Sequence, residues 1–247
     1  MRGLNPPEVS GVAGVGDAPP LVSVCVPTLH EEQQIASLLD HLAGLDGSFE
    51  VIVVDGGSRD ATAQLARDDP SRPRVVVQAG GRAAQLNRAA ASATGEILVF
   101  LHADSRLPPD AHATLTTAWS DPELVGGNFT LRFDGADRFS RLLGVIYGLQ
   151  RRLGYYYGDS TLWVRQSTFA ALGGFRELPI MDDYDFVRRL ERLPGATAAL
   201  PGPATTSSRR WQAIGIGRTL LSWWVIRWLY VAGVPAPRLA RLYRAVR

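Results

Sequence analysis

The chain of 247 residues carries 26 basic and 24 acidic residues, a formal charge of +2, 46% apolar residues and one cysteine. That length supports one domain with a proper core, or a domain plus a small appendage, and excludes a long disordered protein. Cys25 alone allows neither an internal disulfide nor a four-thiolate zinc site, which fits a reducing cytoplasmic compartment, and the near-neutral total argues against nucleic acid as partner.

Residues 1–20 are rich in Gly and Pro, lack apolar periodicity and read as a flexible tail. Gly11, Gly14 and Gly16 imitate a dinucleotide fingerprint but precede the first strand instead of following it. Leu21–Val26 then reads as a strand. Ile35, Leu38, Leu39 and Leu42 recur at helical spacing, with Gly44 as a stop. Val51–Val54 is a strand ending in Asp55-Gly56-Gly57-Ser58, followed by a short helix around Ala61, Leu65 and Ala66. Val75–Val77, an Ala-rich helix over Arg82–Ala93 and a strand over Ile97–Leu101 complete the series. This alternation predicts an α/β fold whose mostly parallel sheet is covered on both faces, with ligands bound beyond the carboxyl ends of the strands. From about Asp110 the pattern is less regular. It predicts a helix over Arg138–Leu153, a strand over Thr161–Val164, a helix over Asp182–Leu193 and a break at Pro201-Gly202-Pro203.

Four clusters carry polar chemistry. Asp55-Gly56-Gly57-Ser58 lets the chain turn tightly beside a flat ligand, and its carboxylate can accept from a ribose or a base; the same stretch also reads as a turn with a helix cap. His102-Ala103-Asp104 follows a strand. Positions i and i+2 of an extended segment point one way, so His102 and Asp104 can face one divalent cation, although Asp104 also suits a cap. Imidazole beside carboxylate tilts the preference from Mg2+ toward Mn2+. Asp182, Asp183 and Asp185 crowd together, which raises at least one pKa toward that of a general base, or marks a solvated helix N-terminus. Gly80-Gly81-Arg82, leading to Asn87, opens a helix that can meet an anion or is an ordinary turn.

Taken in order, Val26-Pro27-Thr28 with His30-Glu31-Glu32, the Asp55 segment with Asp60 and Thr62, His102-Ala103-Asp104, Gly173-Gly174-Phe175, Asp182-Asp183 and Arg210-Trp211 resemble glycosyltransferase family 2 over residues 21–211. The resemblance implies a GT-A fold, with 21–109 as the nucleotide-binding half and 110–211 as the acceptor half. It implies inverting transfer of a sugar from a nucleoside-diphosphate donor, here a UDP-sugar. In that reading Asp183 is the base. Thr28, Glu31, Asp55, Gly57, Arg82, Asn87, His102 and Ala103 bind the donor, and Asp104 with His102 holds Mn2+ or Mg2+. Asp159, Asp182, Arg210 and Trp211 lie toward acceptor and pyrophosphate. Two positions depart from the family pattern: His102 replaces the first carboxylate of D-x-D, and Ser207 stands where Q-x-x-R-W has glutamine. Gly158-Asp159-Ser160 and the segment 206–211 further resemble a bacterial subgroup linked to arsenosugar and selenium-related biosynthesis, itself similar to carotenoid-acid glycosyltransferases. The alternative is a noncatalytic, membrane-docked nucleotide-sugar-binding protein whose metal site has decayed.

The near-neutral charge is a cancellation. Residues 1–191 hold 17 arginines against 24 acidic residues, and residues 192–247 hold nine arginines and no acid. Residues 212–247 read as two helices. The first is rich in Trp and too short between Arg218 and Arg227 to span a bilayer; the second repeats Arg238, Arg241, Arg244 and Arg247 along one side. They suit an anionic surface on the inner face of the cell membrane, packing on the domain itself or a homodimer interface, with a small molecule or lipid as acceptor.

Overall fold

In the computed structural model, which describes residues 21–135, 137–208 and 215–246, apolar strands stack side by side into one sheet. The strands are β1 (Val22–Thr28), β2 (Phe49–Asp55), β3 (Arg74–Val77), β4 (Ile97–Phe100), β5 (Leu124–Phe133), β6 (Leu162–Arg165) and β7 (Ala196–Thr206). Their order is β3-β2-β1-β4-β6-β5-β7. β1 to β4 are mutually parallel, β6 runs antiparallel to both neighbours, and β5 pairs parallel with β7. The mostly parallel sheet is therefore as the alternation predicts. The chain leaves β1 toward β2 and later returns to β4 on the other side of β1. That reversal opens a crevice at the carboxyl ends of these strands.

The alternating side chains of the strands feed two cores. Val22, Val24, Val26, Ile97 and Val99 face one side, where α1 (Ile35–Ala43), α2 (Thr62–Asp68) and α4 (Ala111–Ser120) bury Leu38, Ala66 and Leu115. Cys25, Ile52, Val54, Leu98 and Phe100 face the other, under α3 (Arg82–Ser92), α6 (Gln166–Ala171) and α7 (Asp182–Leu190). Ile35, Leu38 and Leu39 are fully buried on α1, each contributing about 1.5–3 kcal/mol. Burial also pushes the Cys25 thiol up, which leaves it an inert core side chain.

The remaining helices are α5 (Arg138–Arg152), α8 (Ile216–Val231) and α9 (Ala236–Val246). Ile226 of α8 and Leu239 of α9 pack on Met181 and Tyr184 at the start of α7, so the C-terminal helices rest on the α/β body. The N-terminal tail expected over residues 1–20 lies outside the described residues, as does Arg247 of the basic series.

Two sequence expectations need correction, the break at Pro201-Gly202-Pro203 and the end of the last helix before it. The predicted break at Pro201-Gly202-Pro203 lies inside β7, as an irregularity where the register jumps from Phe129–Leu200 to Leu131–Ala204. Proline lacks the N–H a regular ladder needs, and β7 tolerates it as an edge strand. β5 carries Gly126-Gly127, which mimics a turn, yet a Cβ on Gly127 would stand 1.9 Å from the Ala198 carbonyl oxygen. Glycine is there because β7 passes so close. Helix α7 ends at Leu190, three residues short of the expected Leu193.

Candidate active site

A chamber of about 1270 Å³ lies at the crevice, lined on its polar side by Gly81, Arg82, His102, Asp104, Asp159, Asp182 and Asp183. The rest of the lining is mainly apolar, with Leu143, Ile146, Tyr157, Ile180, Leu220 and Ile226, and is interrupted by Gln150, Glu177 and Arg227. The topology assembles it from distant segments. α3 begins after β3 and delivers Arg82; the segment after β4 delivers His102 and Asp104; the start of α7 delivers the aspartates.

Arg82 grips Asp182 with two bonds, Nε to Oδ2 at 3.0 Å and NH2 to Oδ1 at 2.5 Å, and NH2 is 3.4 Å from Oδ1 of Asp183. Asp183 Oδ2 accepts from the Gly158 N–H at 2.9 Å, and Oδ1 from the Tyr184 N–H at 2.7 Å. Burial opposes its charge, but Arg82 and these two donors outweigh it and hold the carboxyl below the usual range. The expectation of a raised pKa from three crowded carboxylates is thereby corrected. The three are drawn apart: Asp182 goes to Arg82, and Asp185 is held by Arg176 at 3.0 Å and Arg189 at 2.8 Å. Arg82 loses by burial and gains more from Asp183 and Asp182, so it stays protonated.

His102 and Asp104 both line the chamber, although not on an extended segment. The Ser105 N–H donates to the His102 carbonyl at 3.0 Å, so the segment turns, and the two side chains reach one cavity by that turn. Burial and then Arg82 push the His102 pKa down, so the imidazole is neutral and has a lone pair to offer. Among the described residues no three His, Cys, Asp or Glu side chains converge on one point that could hold a metal. An imidazole and a carboxylate on an open cavity instead fit a cation that takes its remaining ligands from a bound diphosphate. Asp159, on the short turn Gly158–Ser160, accepts from the Tyr147 hydroxyl at 3.0 Å.

The donor-side residues divide. Thr28 and Asp55 sit buried at the ends of β1 and β2. Asp55 Oδ2 accepts from the N–H groups of Gly57 and Ser58, both at 2.9 Å, so it shapes the turn and leaves Gly57 at a φ of +93°. The Glu31 N–H donates to Thr62 Oγ1 at 2.8 Å, joining the loops after β1 and β2. These four lie outside the chamber lining. Asn87 does as well: its side chain donates to the Phe175 carbonyl at 2.8 Å and accepts from the Phe175 N–H at 2.9 Å. It pins α3 to the Gly173-Gly174 turn. Ala103 is buried and absent from the lining. Arg210 and Trp211 lie outside the described residues.

Two features escaped the sequence. Gln85, buried on α3, donates to the carbonyls of Thr28 at 2.7 Å and Val54 at 2.9 Å, tying the ends of β1 and β2 together. Tyr157, which lines the chamber, stacks on Tyr184 with centroids 5.8 Å apart and an interplanar angle of 24°. A polar residue inside an Ala-rich helical face was the signal for the first; the second had none.

The chain is 26% identical to a β-monoglucosyldiacylglycerol synthase of Synechocystis over 91% of its length, covering 53% of that protein. It is 28% identical to a PGL/p-HBAD biosynthesis glycosyltransferase of Mycobacterium bovis, over 68% of this chain and 69% of the other. An uncharacterized Mycobacterium tuberculosis protein shares 33% identity over 52% of this chain and 41% of its own. The chain thus spans about half the length of the first of these and less of the last. In fold it matches a mannosyltransferase of Pyrobaculum calidifontis, solved with GDP-Man and Mn2+, at a TM-score of 0.65 and 23% identity, covering 93% of this chain and 69% of that one. It matches S. aureus TarS at 0.61 and 21% identity, over 76% and 60% of the two chains. These neighbours share the GT-A architecture, and the sequence profile of glycosyl transferase family 2 matches residues 23–176. The chain belongs to glycosyl transferase family 2.

Proposed function

We propose that this chain transfers a sugar, with inversion, from a nucleoside-diphosphate donor, a UDP-sugar in first place, to the hydroxyl of an apolar acceptor. The observation that carries the reading is the convergence of Arg82, His102, Asp104 and Asp183 on one chamber whose remaining lining is mainly apolar. In the step, Asp183 takes the proton from the acceptor hydroxyl as its oxygen bonds to the anomeric carbon. The bond from that carbon to the diphosphate breaks, and its electron pair leaves with the phosphate oxygen. A carboxylate acceptor, already ionised at neutral pH, would need no such base, so the buried ionised Asp183 favours a hydroxyl. Arg82 is 36% exposed beside a 3% exposed Asp182, so it can turn part of its fork to the departing diphosphate. Asp104 and His102 would hold Mn2+ or Mg2+, which when bound neutralises the same charge. Glu31, Asp55 and Gly57 would border the nucleoside.

A lipid or carotenoid acceptor fits the apolar lining, and two relatives are named β-monoglucosyldiacylglycerol synthase and undecaprenyl-phosphate 4-deoxy-4-formamido-L-arabinose transferase. Thermal melting of the full chain with UDP, GDP and dTDP, each with and without Mn2+, tests the reading. Stabilisation by one nucleotide, increased by Mn2+, is expected. No response to any of the three counts against a transferase; a response without turnover of donor sugar points to a noncatalytic binding protein.

A further inference from the structure

The outer wall of the chamber is built by two helices, and both turn an apolar stripe outward. On α5, Leu142, Val145, Leu149 and the following Leu153 are 54–71% exposed. On α8, Leu221, Trp224, Trp228 and Val231 are 54–62% exposed. Steps of three and four residues put each set on one helical face. Trp223 of α8 packs on the buried cluster of Phe133 and Leu143, as do Phe139 and Tyr147 of α5, and so joins the two helices. Leu221 and Trp224 also line the chamber, so its mouth opens onto the stripe.

The charge around these stripes selects the occupant. From Arg138 to Gly158 the chain has four arginines and no acid, and from Arg192 onward nine and no acid. A second copy meeting this face across a twofold axis would set the arginines of these segments against one another, with neither segment supplying a carboxylate to pair them. Anionic headgroups over an apolar layer match both features, since Trp and Arg favour that boundary. Among the described residues no helix is long and apolar enough to cross a membrane, so the helices would lie on it.

We infer that α5 and α8 together form a docking face for an anionic bilayer, and that the chamber mouth between them opens into the lipid. An acceptor reaching Asp183 by that route is a membrane-borne amphiphile, with its hydroxyl at Asp183 and its body against Tyr157 and Ile226. The acceptor's part rests on the transferase reading; the docking face does not.

Flotation of the full chain with phosphatidylcholine vesicles, with and without phosphatidylglycerol, tests the inference. The chain is expected to float with the anionic vesicles and to be released by salt. Leu149→Glu on α5 and Trp228→Glu on α8, neither of them in the chamber lining, should each weaken binding about tenfold or more. Their melting temperature and nucleotide response serve as the folding control, and Leu142→Gln is the milder second α5 variant. Undiminished flotation of well-folded α5 variants overturns the shared face. So does dissociation of a dimer by these variants with vesicle binding intact. Loss of the nucleotide response in the unaltered chain would refute the transferase reading and leave the docking result standing.

Discussion

Arg82 holds Asp182 by two bonds while its NH2 stands 3.4 Å from Asp183, so one guanidinium serves two adjacent carboxylates unequally. Neutralising Asp183 therefore leaves Arg82 anchored by Asp182. Asp183→Asn should lower transfer by roughly 10²–10⁴-fold, the range of a lost general base. Donor affinity should change by no more than about threefold, because a shift of that size costs under about 1 kcal/mol. Parallel measurement of turnover and nucleotide binding checks this. An equal fall in both would assign Asp183 to donor binding instead.

Gly158 offers a second probe of the reaction centre. A Cβ there would lie 3.1 Å from Asp183 Oδ2 and 3.4 Å from His102 Nε2, while the backbone N–H that holds Asp183 is kept. Displacements of this size near reacting groups cost rate more than stability. Gly158→Ala is expected to reduce kcat about tenfold or more and to leave the melting temperature within a few degrees of the parent, as about 1 kcal/mol or less would. A large fall in melting temperature with kcat preserved among folded molecules would show that the turn, not the chemistry, needs the glycine.

Away from the site, His41 on α1 makes a 3.0 Å hydrogen bond between its Nε2 and the Leu107 carbonyl. Burial, helped by nearby Arg106, pushes its pKa down against that bond, and His102 is shifted the same way. A histidine whose folded pKa is lowered favours the fold above its unfolded value of about 6.5, and the contribution is lost as pH falls through that value toward the folded pKa. Thermal stability should decline between pH 7.5 and 5.5. His41→Gln, which retains a donor for Leu107, should flatten the decline without removing it, since His102 remains. A decline unchanged by His41→Gln would mean that His41 is solvated in solution.

The parallel half of the fold was legible because its signals are local. Ile35, Leu38, Leu39 and Leu42 repeat at helical spacing, and all four prove buried. β5 and β7 were not legible, because the feature that makes them a pair lies between them. Gly127 looks like a breaker until Ala198 is seen 1.9 Å from its missing Cβ. The same holds in the site. Asp183 and Asp104 stood out in the ordered set of motifs and Arg82 in its glycine turn, and all three line one chamber. The bonds of Asn87 go to Phe175, 88 residues away, and nothing in its neighbourhood announces that partner. The lowered pKa of Asp183 was hidden for a related reason: adjacent carboxylates imply repulsion, and only the fold brings Arg82 across 100 residues to Asp182 beside it.

Gln85 is a further long-range element with a measurable consequence. Its amide gives both hydrogens to carbonyls at the ends of β1 and β2, at 2.7 and 2.9 Å, and it is itself 4% exposed. Gln85→Leu keeps much of the volume but removes one donor from each of two buried carbonyls, which retain the Gly56 N–H and the Thr28 hydroxyl, at about 0.5–1.5 kcal/mol each. Gln85→Glu keeps the shape and replaces the donor with a carboxylate facing two carbonyl oxygens. Burial and those oxygens disfavour its charge, so it folds best protonated. Gln85→Leu should therefore melt lower than the parent at every pH. Gln85→Glu should melt lower at pH 7.5 and recover part of the loss at pH 5.5, opposite in sign to the histidine effect. The strand ends it joins carry Thr28 and Asp55, so both variants should also raise the donor KM more than they lower kcat. Melting curves at the two pH values and donor titrations measure both effects, and a pH-independent Gln85→Glu variant would place the side chain in water instead of between the strands.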